Sequence, residues 1–146
     1  MKTVAVHRRA RFDYQIQETL EAGIVLTGQE AKSCRKGNVN MAGSYVSFLG
    51  GVPRIKHLKI SPYAFASGLE GYDPARDREL LLKKSEAAKL QAMADQKGVT
   101  VVPLEVKAGR FIKVVLGVGQ GRKRVDKRRA IREREVGRQL REGREV

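Results

Sequence analysis

Apolar and polar residues alternate with period two on either side of Glu21-Ala22-Gly23, with Tyr14 and Ile16 before it and Ile24 and Leu26 after it. Alternation around a glycine predicts a β-hairpin over residues 13–28, turning at Glu21-Ala22-Gly23. The next stretch, QEAKSCRKG, carries Glu30, Lys32, Ser33 and Arg35 ahead of Gly37. It predicts a short helix stopped by a glycine, with one polar face open to solvent. Residues 44–48 and 54–60 are β-rich runs joined across Gly50-Gly51, a second expected hairpin.

Further on, Leu81, Leu82, Ala88, Leu90, Met93 and Ala94 recur at helical spacing, and Gly98 follows as a stop. A helix over residues 78–97 is expected there. Two last apolar runs, VTVVPLEV and RFIKVVLGV, flank Ala108-Gly109 and predict a final strand pair. Val102, Leu104, Val106, Phe111, Val114 and Leu116 are its expected core positions. Strand pairs interrupted by helices, without βαβ alternation, predict a mainly β fold with flanking helices. The natural architecture is an OB-type antiparallel β-barrel, closed or half-closed.

The pattern changes at GVGQGRKR, where Gly117, Gly119 and Gly121 are expected to end the last strand. Beyond them, Ile131, Val136 and Leu140 make only a thin apolar stripe. Burying so little cannot offset an ordering cost of roughly 1–2 kcal/mol per residue. The organisation expected is therefore a core at residues 1–120 and a basic tail at 121–146, disordered alone and helical against a partner.

Charge turns this outline towards a function. The 146 residues include 30 Lys or Arg against 16 Asp or Glu, a formal net charge of +14. The tail holds 11 basic and 5 acidic residues, leaving +6 there and +8 on the rest. Such an excess favours a polyanion, nucleic acid ahead of a membrane surface. One cysteine, Cys34, excludes an internal disulfide, and no stretch approaches about 18 uninterrupted apolar residues. A reducing cytoplasm is the expected setting.

Catalytic and metal chemistry find little support. His7 and His57 lie far apart with no clustered ligands, and read as RNA-facing or surface residues. Cys34 has no adjacent histidine and reads as packed and inert. The carboxylates Glu18, Glu21, Asp73 and Asp77 stand among Lys and Arg and read as solvated charges. GVGQGRK lacks the spacing of a phosphate-binding loop. No cofactor, no metal and no enzyme activity are expected. HRRARF, KSCRKG, RDRELLLKK and the tail are instead the candidate phosphate-binding stretches, with Phe12 or Tyr14 available to stack on an unpaired base.

At this point four ordered motifs, spread over nearly the whole chain, resemble the SsrA-binding protein (SmpB) family, protein partners of tmRNA. His7-Arg8-Arg9-Ala10-Arg11 resembles the family's opening Asn-basic-basic-Ala-Arg block, followed by Tyr14 and Glu21-Ala22-Gly23. Leu26 to Arg35 resembles its Leu-x-Gly-x-Glu-Val-Lys-Ser-Leu-Arg helix, and Asp73 to Leu82 its Asp-Pro-x-Arg-x-Arg-x-Leu-Leu-Leu stretch. Gly121 to Arg128 resembles its Gly-Lys-Lys-x-x-Asp-Lys-Arg signature. His7 replaces the usual Asn, Ala31 and Cys34 replace larger apolar residues, and Arg122 replaces Lys.

The resemblance implies an OB-type barrel that binds the tRNA-like part of tmRNA and delivers it to stalled ribosomes in trans-translation. The implied RNA-binding residues are Arg8, Arg9, Arg11, Tyr14, Glu21, Lys32, Ser33 and Arg35. Gly121, Arg122, Lys123, Asp126, Lys127 and Arg128 are implied to engage the decoding centre and the empty message channel of the small subunit. Two other readings of the charge remain: a structural basic protein of the ribosome, and, with least support, an RNA-processing enzyme.

Overall fold

The computed structural model describes residues 1–63 and 71–121. In chain order the elements are β1 (Lys2–Val6), α1 (Ala10–Asp13), β2 (Tyr14–Ile24), α2 (Gly28–Arg35), β3 (Val39–Asn40), β4 (Tyr45–Ser47), β5 (Arg54–Lys56), β6 (Lys59–Ile60), β7 (Arg78–Leu81), α3 (Lys84–Ala94), β8 (Val99–Ala108) and β9 (Ile112–Gly121). Seven strands form one sheet in the order β1-β8-β9-β2-β7-β5-β4, and β3 pairs with β6 separately. Every pairing is antiparallel. The sheet curls until β4 packs near β8, with no ladder joining its edge strands β1 and β4. The result is a half-closed, OB-like barrel.

Its interior is the main apolar cluster, in which Ala22 and Ile24 of β2, Ile55, Leu80, Val114 and Leu116 meet Cys34 of α2 and Leu90 of α3. A second, smaller cluster lies on the outside of β8, where Ala10 of α1 packs with Val102 and Leu104 against Tyr14, Ile16 and Val115. A register shift between Pro103 and Glu105 separates Val102 and Leu104 from Val106, which joins the interior cluster. A bulge moves the alternation to the other face. Three residues expected to share one core face are thus split between two. Phe111, expected in the core, precedes β9 and is 67% exposed.

The hairpin expected around Glu21-Ala22-Gly23 is instead the single eleven-residue strand β2. A Cβ on Gly23 would lie 3.1 Å from Leu81 Cβ, so the glycine serves a close approach to β7 and not a turn. Gly117 and Gly119 lie within β9, which ends only at Gly121. A Cβ on Gly119 would meet the Gln15 carbonyl oxygen at 2.6 Å, so absence of a side chain allows that pairing to close.

The apolar run 80–82 is not the start of a helix. β7 alternates inward Arg78 and Leu80 with outward Glu79 and Leu81, and α3 begins at Lys84. The run 54–60 breaks at His57, whose φ of 61° sends β5 to β4 and β6 to β3. The helix ending before Gly37, the β4–β5 hairpin and the β8–β9 pair stand as expected. The tail at 122–146 lies outside the described residues.

One polar node joins these pieces. Glu30, fully buried in α2, receives Arg78 Nε at 2.9 Å and Nη2 at 2.5 Å, Arg76 Nε at 3.1 Å, and Arg76 Nη2. Its other oxygen also accepts the Thr27 backbone N–H at 2.9 Å, while the Glu30 N–H bonds back to Thr27 Oγ1. This reciprocal capping fixes the start of α2. The Arg78 guanidinium goes on to donate to the carbonyls of Leu58, Pro74 and Arg76 and to the Tyr72 hydroxyl. RDRELLLKK therefore does not offer all its cations to a polyanion, because Arg78 is 1% exposed and Arg76 is spent on Glu30.

Burial alone would raise the Glu30 pKa, but donation from Arg76, the Thr27 N–H and Arg78, with the Arg78 charge, holds it down at about 2. Since the folded value lies below the ordinary 4.5, this stabilisation is present above pH 4.5 and lost as pH falls from there towards 2. The loss amounts to about 3 kcal/mol. Glu30→Gln, which leaves two guanidiniums without their anion, should cost about 3–5 kcal/mol at neutral pH. Urea melts from pH 7 to pH 3 check both: the wild type should weaken steeply below pH 4.5, and the variant should start lower and lose less.

Candidate nucleic-acid interface

The Glu30 side of α2 faces the node, and its opposite side carries Lys32 and Arg35, three residues apart and both exposed. Arg35 reaches to the β8–β9 turn, donating through Nη1 to Gly109 O at 2.8 Å and through Nη2 to Arg110 O at 3.3 Å. Below this bracket is a cleft of about 470 Å³ lined by Gly23, Leu26, Ala31, Leu81, Phe111 and Ile112, with Arg35, Arg110 and Lys113. Leu81 and Phe111 are 60% and 67% exposed, unusual for side chains of their size beside a well-packed sheet. The Arg110 guanidinium lies 5.8 Å from the Phe111 ring centre.

Strand register carries the cleft onto the outer face of the barrel. Gly23, Lys113 and Lys107 stand side by side across β2, β9 and β8. Glu21, two residues from Gly23 on the same face, pairs with Lys107 Nζ at 3.3 Å. Apolar surface with a ring edge can hold a base or ribose, while the cations take phosphate. Glu21 can accept from a base amine or a ribose hydroxyl, the role that an acid can fill in a basic site.

The N-terminal motif lies towards the other end of β2. Tyr14 and Glu21 are seven residues apart on that strand, about 23 Å of extended chain. His7 donates from Nδ1 to Pro103 O at 2.8 Å, and its backbone N–H donates to Leu104 O at 2.8 Å, both at the β8 bulge. It is half-buried and anchors the motif. Ala10 is fully buried, so Arg8, Arg9 and Arg11 are turned outwards. Arg8 and Arg9 line a smaller concavity of about 270 Å³ with Asp13 and residues 40–43. Arg9 also stands 3.8 Å from Asp13 and 5.1 Å from the Phe12 ring centre. Tyr14 is half-buried against the outer cluster and pairs with Gly121, the last described residue before the tail.

The eight residues expected to bind RNA thus do not form one patch. Arg8, Arg9, Arg11 and Tyr14 gather at one end, and Glu21 and Arg35 with the cleft towards the other. Lys32 is exposed on α2, with Nζ 5.6 Å from the Tyr63 ring centre. Ser33 is a correction, since it is 0% exposed and its Oγ, without a hydrogen-bond partner among the described residues, is buried. Of the tail set, only Gly121 is described; Arg122, Lys123, Asp126, Lys127 and Arg128 lie outside the described residues.

Leu81, Phe111, Arg110, Lys107 and Lys113 were not among the expected site residues. Arg110-Phe111 beside Gly109 was the available signal, an aromatic and a cation together on a turn. Glu18, Glu21 and Asp77 each pair with a lysine, as expected of surface carboxylates. Cys34 is 2% exposed and burial pushes its thiol up to about 12, which removes the thiolate a nucleophile needs. No group of metal-ligating side chains occurs among the described residues.

Residues 4–145 match the family model described as SmpB protein. The SsrA-binding protein of Synechococcus sp. (strain JA-3-3Ab) is 45% identical over 141 residues, 96% of this chain and 92% of that protein. The SsrA-binding protein of Coprothermobacter proteolyticus is 46% identical over 143 residues, 97% of this chain and 95% of that protein. A chain of a solved structure described as "tmRNA-SmpB: a journey to the center of the bacterial ribosome" superposes with a TM-score of 0.70 at 42% identity, covering 87% of this chain and 93% of that one.

The position of Ser33 has a direct test. Ser33→Ala removes a buried hydroxyl without a partner and should hold or raise stability, by about 1 kcal/mol. Thermal melting and RNA titration of the variant check this, with RNA affinity expected to stay at the wild-type value.

Proposed function

The chain belongs to the SmpB protein family, and from that premise we infer that it binds tmRNA and serves trans-translation on the bacterial ribosome. The observation that carries the reading on this chain is the cleft between α2, β7 and the β8–β9 turn. There Leu81 and Phe111 offer apolar surface within a frame of Arg35, Arg110 and Lys113. Surfaces of this kind bind looped or single-stranded RNA by stacking and phosphate contact, with shape setting the choice of partner. The tRNA-like part of tmRNA supplies such loops.

In this reading Glu21, Lys107, Lys113 and the cleft hold tmRNA, with Lys32 and Arg35 contributing charge from α2. Arg8, Arg9, Arg11 and Tyr14 meet RNA at the other end of the barrel, next to the root of the tail. The segment 121–146 then enters the small subunit, where Arg122, Lys123, Lys127 and Arg128 meet the phosphate-rich decoding centre and the empty message channel. Message already in that channel would compete for the same surface, so tail entry reports that the channel is free. The protein acts in the cytoplasm by binding alone, without a catalytic centre or cofactor of its own.

The two parts can be separated by experiment. Phe111→Ala should weaken tmRNA binding by about 1–3 kcal/mol, the range for a lost base–aromatic contact, with little change in melting temperature because the ring is exposed. Lys113→Ala should make the fall of affinity with salt shallower by about 0.8 in log–log slope, one phosphate contact fewer. Removal of residues 122–146 should leave tmRNA binding intact and abolish peptide tagging in a reconstituted translation assay. Unchanged tagging would remove the tail from the account.

A further inference from the structure

The Tyr45 and His57 rings form an exposed pair at the far edge of the sheet, with centroids 5.6 Å apart and planes inclined by 40°. Tyr45 lies on the edge strand β4, opposite Lys56 of β5. His57 follows Lys56 directly and is the one described residue other than glycine with positive φ, at 61°. An L side chain is disfavoured in that conformation, and glycine would occupy it freely. The backbone here is not free to relax. Leu58, the next residue, is 1% exposed and its carbonyl accepts Arg78 Nη1 at 2.7 Å, which ties the bend to the buried Glu30 node.

The imidazole at position 57 therefore costs stability that glycine would not, and its ring contact within the chain is to another exposed ring. Two cations accompany the pair. Lys56 is held by Asp77 at 3.3 Å, whereas Lys59, exposed two residues beyond His57, has no ion-pair partner among the described residues. None of these four residues lines the cleft that holds Leu81 and Phe111. Two tilted ring faces, with the exposed Lys59 two residues along the chain, match one chemistry, a flat π-system joined to a phosphate.

We propose that Tyr45 and His57 form a second RNA contact, a platform on which an unpaired nucleobase stacks while Lys59 takes its phosphate. This rests on the RNA-binding reading above and extends it. With one RNA surface at the cleft and another at β4, the barrel can bridge two RNA segments. Two parts of tmRNA, or tmRNA and ribosomal RNA, present the same nucleobase chemistry, and the two binding arms below tell them apart.

The test uses the full-length chain with His57→Gly, Tyr45→Leu and Tyr45→Phe. Each variant is melted, titrated with purified tmRNA, and separately sedimented with purified ribosomes. His57→Gly should melt at or above the wild-type temperature yet bind about three- to tenfold more weakly in one of the two binding arms. Tyr45→Leu should weaken the same arm, and Tyr45→Phe, which keeps the ring, should retain it. Loss confined to the tmRNA arm assigns the base to tmRNA, and loss confined to the ribosome arm assigns it to ribosomal RNA. Unchanged binding in both arms would overturn the platform, as would a lower melting temperature for His57→Gly, since the histidine would then be a structural residue. Wild-type binding to tmRNA in the same titration keeps the broader reading standing in either event, and its absence would sink that reading instead.

Discussion

A carboxylate with no solvent exposure, shared by two guanidiniums, is the constraint on which the rest of this fold depends. Glu30 caps α2 from within, receives Arg76 and Arg78, and through Arg78 fixes the carbonyls of Leu58 and Pro74 and the hydroxyl of Tyr72. A buried charge is tolerated only when paired and fully hydrogen-bonded, so these partners are locked as a set. The node carries one more positive charge than negative, and Arg76, at 35% side-chain exposure, lets that excess reach water. Burial, followed by the Glu30 charge, also keeps the Tyr72 hydroxyl above its ordinary pKa, so it remains a neutral donor and acceptor inside the node.

Geometry outside the core follows from that lock. With Glu30 inward, helical spacing turns Lys32 and Arg35 outward, and Arg35 can bracket the β8–β9 turn. With Arg78 inward, strand alternation turns Leu81 outward on β7, against Gly23, where no side chain blocks it. The cleft is thus the outer surface of the same elements that the node holds from inside. The His57 bend, one residue from the Leu58 carbonyl, belongs to the same connected set.

The sequence revealed chemistry more readily than connectivity. Charge and the four ordered motifs pointed to an RNA partner, and the mainly β, half-closed architecture follows the expected class. Gly23, Gly117 and Gly119 misled because glycine serves two needs, a turn or a close approach, and only the strand packed above it decides which. Leu81 and Leu82 misled because a short apolar run before a true helix has no period of its own. Thr27-x-x-Glu30 was a readable capping signal, yet nothing in it disclosed that the same glutamate would be buried under Arg76 and Arg78, 46 and 48 residues away. Long-range pairing of this kind is invisible to a local reading. The bulge at Leu104 likewise moved Val102 away from Val106 by an irregularity that composition does not mark.

Selection of tmRNA over the mass of other cellular RNA is the central property proposed for this basic, half-closed barrel. The measurement closest to that claim is recovery of the full-length protein from a bacterial lysate, followed by sequencing of the RNA that remains bound. The expected result is one dominant species, tmRNA, enriched far above its share of total RNA. A profile of ribosomal RNA in its ordinary proportions, without tmRNA enrichment, would contradict it and favour a structural protein of the ribosome.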